Sequence, residues 1–258
     1  MKLFIAVIAS LFVFGCDSSA PTPEPTTSTE ADGLTLRVST PERITGSYVD
    51  PSTNVGIDFD SARAGDVMYL HVASRNGTEL VHAETIGDSY VFRYMGGKLT
   101  LTVAKAWVAA VQAEGENGPA AADESAAVWD GDRNVLDDML ALPEMATLPW
   151  LSRALGVAGI SGGSHPASLA LHKTARQSAK ALAIEVPPLD SINENSQCGR
   201  PSASNECYGM CGLGCSCWSW VCGDCCYHGG CAKHDSWCRN GQWYYCYNIT
   251  AVVALFGC

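Results

Sequence analysis

Apolar and polar positions alternate through residues 34–104. The clearest alternating runs are residues 34–38, 67–72, 80–83, 90–94 and 99–103. Residues that favour turns separate these runs, and the Asn76-Gly77 pair between two of them is the strongest hairpin signal. Because this pattern is typical of antiparallel strands, the region is predicted to form a small sheet or barrel.

Residues 105–183 change to the period of an α-helix. Helices are predicted over residues 106–113, 132–142, 148–155 and 166–184, and the last of these is amphipathic. Ser164 suits the N-cap of the last helix, and Pro166 suits its first turn. The strands and helices together predict an α+β domain over residues 34–186, in which an antiparallel β region is followed by helices.

Residues 1–15 have the layout of a secretory signal peptide, with Lys2 ahead of an apolar run. That run is too short to span a bilayer as a helix. It ends in the letters VFGC, which resemble a bacterial lipobox. Cleavage before Cys16 would leave a thiol that carries diacylglycerol, with palmitate among the expected acyl chains. The alternative is an ordinary signal peptide that is cut near Ala20, which would remove Cys16.

Residues 16–33 have the composition of a disordered tether, rich in Ser, Thr, Pro and Glu. A polar tether directly after a lipidated cysteine suits a membrane-anchored lipoprotein. The expected location is therefore a bacterial membrane, on its periplasmic side or at the cell surface. The phospholipid membrane is the expected partner of such an anchor.

The charge of the chain is asymmetric. Residues 17–197 carry 24 acidic side chains against 12 basic ones, whereas residues 198–258 carry three of each. Nothing in this distribution forms a basic patch. Nucleic acid is therefore not expected as a partner.

The cysteines are confined almost entirely to the C-terminal part of the chain. Of 13 cysteines, 12 lie between Cys198 and Cys258, and a linker over residues 187–197 precedes them. With Cys16 set aside as the lipid site, the remaining number is even, which is typical of a disulfide framework in an oxidising compartment. The sequence leaves the pairing open. The 12 cysteines are Cys198, Cys207, Cys211, Cys215, Cys217, Cys222, Cys225, Cys226, Cys231, Cys238, Cys246 and Cys258.

Two features of residues 198–258 carry chemistry. The first is the glycine-rich stretch YGMCGLGC over residues 208–215, whose glycines allow successive backbone carbonyls to point inward. Such oxygens, together with a carboxylate, suit Ca²⁺. The second is the adjacent pair His234 and Asp235, in which a neutral imidazole can act as a base that activates water.

Taken together, the glycine loop and the Cys-x-x-His-Asp motif resemble the secreted phospholipase A2 family over about 45 residues. The resemblance implies a small, disulfide-rich, mainly α-helical domain that hydrolyses the sn-2 ester of phospholipids with Ca²⁺. The residues it implies are the Ca²⁺-binding carbonyls of Met210, Gly212 and Gly214, the Ca²⁺-binding carboxylate Asp235, the catalytic base His234 and a bridge from Cys211 to Cys231.

Two other interpretations of this module stay open. No Asp or Glu follows Asp235, although the family places a second Asp there to orient its histidine, so a non-catalytic, disulfide-stapled binding module is the principal alternative. The other is a zinc site. Its candidate ligands are Cys222, Cys225, Cys226, His228, Cys231 and His234.

The remaining histidines and paired aspartates are expected to have ordinary roles. His71, His82, His165 and His172 have no carboxylate or thiol spaced with them to complete a metal site, so structural or exposed roles are predicted. His165 and His172 are seven residues apart, a spacing that would allow them to share a helix face. The alternating aspartates are predicted to lie in solvated turns. These are Asp58, Asp60, Asp130 and Asp132.

Overall fold

The computed structural model describes residues 32–114 and 127–187. In these ranges eight strands form a single antiparallel sheet, whose order in space follows their order along the chain. The strands are β1 (Leu34–Thr40), β2 (Arg43–Val49), β3 (Gly56–Ala64), β4 (Val67–Ser74), β5 (Glu79–Ile86), β6 (Ser89–Tyr94), β7 (Leu99–Ala104) and β8 (Ala127–Gly131). The predicted α+β class with an antiparallel β region and helices is confirmed for this part of the chain.

Four α-helices accompany the sheet in the described ranges. They are α1 (Lys105–Glu114), α2 (Val135–Leu140), α3 (Pro143–Val157) and α4 (Leu169–Ala181), and a short 3-10 helix (Pro166–Ser168) directly precedes α4. The helices predicted over residues 106–113 and 132–142 correspond to α1 and α2. The one predicted over residues 148–155 is longer at both ends as α3.

The five predicted strands are present as β1, β4, β5, β6 and β7, and the predicted hairpin at Asn76-Gly77 is confirmed. Gly77 has φ +86°, which a glycine adopts without strain, and its N–H donates to the carbonyl oxygen of Ser74 at 2.9 Å. The Thr78 N–H donates to the side-chain oxygen of Asn76 at 3.0 Å. Both residues of the pair therefore close the loop between β4 and β5.

Strands β2, β3 and β8 were not among the clear alternating runs. Strand β2 contains a glycine because the backbone of β1 approaches it closely. A Cβ at Gly46 would lie 2.2 Å from the carbonyl oxygen of Thr35 in β1. The prediction that Asp58 and Asp60 lie in turns is wrong, since both are in β3. Each faces an arginine across the sheet, and the two pairs are Arg37 with Asp58 at 2.6 Å and Arg43 with Asp60 at 2.8 Å.

The other two aspartates differ from one another. Asp130 lies in β8 rather than in a turn, so that prediction is wrong. Asp132 follows the strand, and its carboxylate accepts a hydrogen bond from the backbone N–H of Asn134 at 3.0 Å, two residues further along. This contact is typical of an aspartate in a turn.

The predicted start of the last helix is wrong in detail. The chain forms the 3-10 helix first and α4 afterwards, and His165, not Ser164, is the residue that precedes the 3-10 helix. The Ser164 hydroxyl lies 3.0 Å from the Ser161 hydroxyl and 3.0 Å from Nδ1 of His165. Because Ser164 forms these local contacts, it caps no helix. His165 and His172 consequently do not share one helix face.

The core lies between one face of the sheet and the helices. Inward-facing side chains of neighbouring strands stand in register, as Leu70 does with Ala83 and Phe92 with Leu101. The sheet and helices are joined where the Ser61 hydroxyl of β3 donates to the carbonyl oxygen of Ala167 in the 3-10 helix at 2.5 Å. Buried members of this core include Ile44, Ile57, Leu70, Leu80, Phe92, Leu99, Leu101, Leu148, Leu151, Leu155 and Leu171.

Truncation of Phe92 should measure how tightly this core is packed. Phe92 is 2% exposed, so Phe92→Ala should lower the free energy of unfolding by about 3–5 kcal/mol through lost burial and a cavity. Val128→Ala is the control, because Val128 on β8 is 59% exposed and should change stability by no more than about 0.5 kcal/mol. Urea unfolding followed by circular dichroism measures both. Equal losses in the two variants would contradict the assignment of Phe92 to a packed core.

Candidate functional site

The side chains and carbonyls predicted to carry hydrolytic chemistry lie outside the described residues. The same holds for the signal peptide, the tether, the linker and the whole cysteine framework. The site residues concerned are Cys16, Met210, Gly212, Gly214, His234 and Asp235. Their predicted roles stay predictions.

A serine and a histidine meet between α3 and α4. The Ser152 hydroxyl lies 2.8 Å from Nδ1 of His172, and Nε2 of His172 lies 3.1 Å from the carbonyl oxygen of Ile160. A carbonyl can only accept, so Nε2 carries the proton and Nδ1 accepts the hydrogen bond from Ser152. Both residues are 0% exposed.

The surroundings of His172 suit a structural role and not hydrolysis. Burial lowers its pKa to about 4, an effect that the bond to the Ile160 carbonyl oxygen only partly opposes. The ring is therefore neutral at pH 7. A nucleophile and its base must reach a substrate, whereas Ser152 and His172 are sealed in the core. The prediction of a structural role is confirmed for His172.

A second polar contact between α3 and α4 compensates for a proline. Pro149 lies inside α3 and has no N–H to offer the carbonyl oxygen of Met145, one helical turn earlier. The Ser178 hydroxyl of α4 donates a hydrogen bond to that carbonyl oxygen instead. The helix can therefore continue through Pro149 without a buried, unsatisfied carbonyl.

On the opposite face of the sheet, polar side chains form a row across four strands. Asp60 stands opposite His71, His71 opposite His82, and His82 opposite Arg93. Since residues directly opposite one another in an antiparallel sheet have close Cβ atoms, the four side chains are neighbours. These side chains point away from the core.

Glu79 joins two members of this row. Its Oε2 lies 3.4 Å from Nε2 of His71 and 3.3 Å from Nδ1 of His82. On the other side of the ring, Nε2 of His82 is 3.9 Å from Oε1 of Glu84, and Glu84 is paired with Arg93. The sequence spacing indicated no carboxylate that would complete a metal site with His71 and His82, and the fold brings Glu79 and Glu84 beside them without regard to that spacing.

The physical reason is an irregularity in register between β4 and β5. The ladder shifts between Val72 and Ala73, which brings Glu79 opposite Ala73 and next to both histidines. Part of this arrangement had a signal in the sequence. His71 and His82 are equally distant from the Asn76-Gly77 turn, so a hairpin centred on that turn places them opposite each other.

A cavity of about 540 Å³ lies at the end of the sheet where the loop before α4 crosses it. It is lined by residues 41–42, between β1 and β2, by residues 63–65 at the end of β3, and by that loop with the start of α4. The ionisable residues among them are Glu42 and Arg63. The Arg63 guanidinium donates to the carbonyl oxygen of Gly65 at 3.2 Å. None of the described residues that line the cavity is a histidine, a cysteine or a serine, so the lining offers no nucleophilic side chain.

No family model, curated protein or solved structure matches this chain. Within residues 32–114 and 127–187, no helix has the length and apolar character to cross a bilayer. In the same ranges, no group of three or more His, Cys, Asp or Glu side chains is arranged so that it could hold a metal ion as it stands.

The buried His172 makes a testable contribution to the pH dependence of stability. Its folded pKa of about 4 lies below the ordinary value of about 6.5, so the unfolded chain binds the extra proton first. The stability it provides is complete above pH 6.5 and is lost as the pH falls towards 4. The free energy of unfolding should decrease by roughly 2 kcal/mol from this residue between pH 7.5 and pH 5.

Urea unfolding at the two pH values, in the parent and in His172→Gln, isolates that contribution. The variant should start less stable, because a buried hydrogen bond is lost, but should have a shallower dependence on pH. His165→Gln is the control, because it removes only the smallest of the effects on the His172 pKa and should keep most of the parent's slope. An unchanged slope in His172→Gln would show that the histidine does not titrate as a buried group.

Proposed function

We propose that the chain is a membrane-anchored lipoprotein whose C-terminal module hydrolyses the sn-2 ester of phospholipids with Ca²⁺. The observation that carries this proposal is the joint occurrence of the glycine loop at residues 208–215 and the His234-Asp235 pair within one cysteine framework. Either motif alone is common. Together they supply the two things that ester hydrolysis needs, a base for water and a site for a cation beside the carbonyl.

The donor set fits Ca²⁺, which prefers oxygen ligands from carboxylates and backbone carbonyls. The carbonyl oxygens of Met210, Gly212 and Gly214 and the carboxylate of Asp235 would hold the ion. When bound, the ion would supply Lewis-acid polarisation of the ester carbonyl. His234 would remove a proton from the attacking water and return it to the leaving alkoxide.

The proposed architecture places this module at the end of a chain of distinct parts. A lipid on Cys16 and a tether over residues 16–33 would hold the β-sheet domain at the membrane, and the linker over residues 187–197 would connect it to the module. The substrate would then be the membrane to which the protein is anchored. The bridge from Cys211 to Cys231 would fix the glycine loop beside His234.

One observation favours a second candidate function. Residues 236–258 contain no Asp or Glu, so no side-chain carboxylate in that stretch can stabilise the imidazolium that forms when His234 takes a proton. A disulfide-stapled module that binds a partner without catalysis needs no such group. Hydrolysis assays separate the two functions.

Hydrolysis by the oxidised full chain should release fatty acid from phospholipid vesicles at roughly millimolar Ca²⁺. EDTA should stop the release. His234→Ala should lower kcat by about 10²-fold or more, because it removes the base. Free fatty acid measured over time provides the rate.

The matched control is His228→Ala, which removes a histidine of the same module that the proposed mechanism does not use. It should leave the rate within a few-fold of the parent. Absence of hydrolysis by the parent would refute the enzymatic proposal. An unchanged melting temperature on addition of Ca²⁺, in both the parent and Asp235→Asn, would then support the binding module.

The anchor has its own test. Expressed in a bacterium, the parent should incorporate labelled palmitate and separate with the membrane fraction, whereas Cys16→Ser should do neither, because the thiol is the lipid acceptor. Ser18→Ala is the control within the tether and should behave as the parent does. If the parent takes up no label and stays in the soluble fraction, the chain is not a lipoprotein and the cut near Ala20 is favoured.

A further inference from the structure

The outward face of the β4–β5 hairpin carries a set of nitrogen and oxygen donors that the proposed hydrolysis does not use. Nε2 of His71 and Nδ1 of His82 each face the same oxygen, Oε2 of Glu79, at 3.4 Å and 3.3 Å. Neighbouring ligands of a tetrahedral ion with bonds of about 2.0–2.1 Å are separated by about 3.3 Å. Both imidazole nitrogens are therefore gathered around one carboxylate, and the rings and the carboxylate must turn before the three can enclose an ion.

We propose that His71, Glu79 and His82 form a divalent metal site on the outer face of the sheet, with Zn²⁺ as the ion that their chemistry suits best. Two neutral imidazoles and one carboxylate are a donor set that Zn²⁺ accepts, with a fourth position open to water. Ca²⁺ prefers oxygen ligands throughout and is not expected here.

The far side of His82 supports this assignment. Its Nε2 is buried and has no hydrogen-bond partner, and the nearest carboxylate oxygen, Oε1 of Glu84, is 3.9 Å away. A histidine that binds a metal through one ring nitrogen usually donates the other N–H to a carboxylate. A small rotation of the ring towards Glu84 would make that bond and would direct Nδ1 at the ion.

Side chains of the neighbouring strands pack around His82 and Glu84. The Arg93 guanidinium holds Glu84 in place behind His82. The Tyr69 ring meets the His82 ring edge-on at 5.4 Å, and the two histidine rings meet edge-on at 5.9 Å. Glu79 lies between the imidazoles, so an ion enters when the carboxylate swings outward and both rings turn towards it. The three ligand side chains are 21–33% exposed, so an ion can reach them from solvent.

The backbone places the ligands without help from the ion. His71 and His82 are directly opposite each other in the ladder, and the register shift between Val72 and Ala73 brings in Glu79. A hairpin held by the Asn76-Gly77 turn and by its neighbours on both sides is a rigid support. Because the strand register places these residues, metal should add to the stability of the fold without being required for it.

Titration of the oxidised full chain with Zn²⁺ by calorimetry tests the proposal, and Co²⁺ serves as a spectroscopic substitute. The parent should bind Zn²⁺ at this site, and His82→Ala and Glu79→Gln should each weaken that binding at least about tenfold by removing a ligand. Glu84→Gln should weaken it by about tenfold while leaving all three ligands in place. His165→Ala is the matched control, because it removes a histidine outside the hairpin and should bind as the parent does.

Two results would overturn the proposal. One is unchanged Zn²⁺ affinity in both His82→Ala and Glu79→Gln. The other is a thiolate-to-cobalt charge-transfer band in the Co²⁺ complex, which would locate the ion among the cysteines. Melting curves without added metal show whether each variant is folded. Glu79→Gln conserves the size of the side chain, so it keeps the test valid if His82→Ala does not fold. Fatty-acid release by the same preparation depends on other residues, so failure here leaves the proposed hydrolysis unaffected.

Discussion

The hydrogen bond from Ser152 to His172 is the contact on which the helical layer of this fold depends. It joins α3 to α4 at a point where both side chains are completely buried. Breaking it would remove the partner of Nδ1 of His172 in the core, at a cost of about 1–3 kcal/mol. The bond from His172 to the carbonyl oxygen of Ile160 adds a third segment of chain to the same centre. One imidazole thereby fixes the relative positions of two helices and the loop that follows the first.

The position of the helices in turn determines which face of the sheet is buried. The Ser178 hydroxyl donates to the carbonyl oxygen of Met145, for which Pro149 has no N–H, so α3 can stay continuous against α4. The 3-10 helix then reaches β3 through the bond between Ser61 and Ala167. With one face of the sheet covered in this way, the other face is left to polar side chains. Cross-strand pairs such as Arg43 with Asp60 are consistent with that division.

Local patterns in the sequence predict much of this fold, and the failures have a common cause. The Asn76-Gly77 hairpin and the alternating runs depend on nearby residues, so they were predictable. Strand β3 was not, because Asp58 and Asp60 disfavour a strand until Arg37 and Arg43 face them across the sheet. The early part of α3 was missed for the same kind of reason. The donor that replaces the missing N–H of Pro149 comes from Ser178, 33 residues away from Met145.

The two candidate metal sites were not equally visible in the sequence, and their chemistry explains why they need not compete. The glycine loop with Asp235 is a local motif of oxygen donors, which suits a hard ion such as Ca²⁺. The site on the hairpin combines two imidazoles with a carboxylate that a register shift brings into place. The spacing of residues along the chain does not indicate that shift. Nitrogen donors favour Zn²⁺ over Ca²⁺ by the type of ligand alone. If both proposals hold, the chain would bind Ca²⁺ through one site and Zn²⁺ through the other, because the donor atoms of the two sites differ in preference.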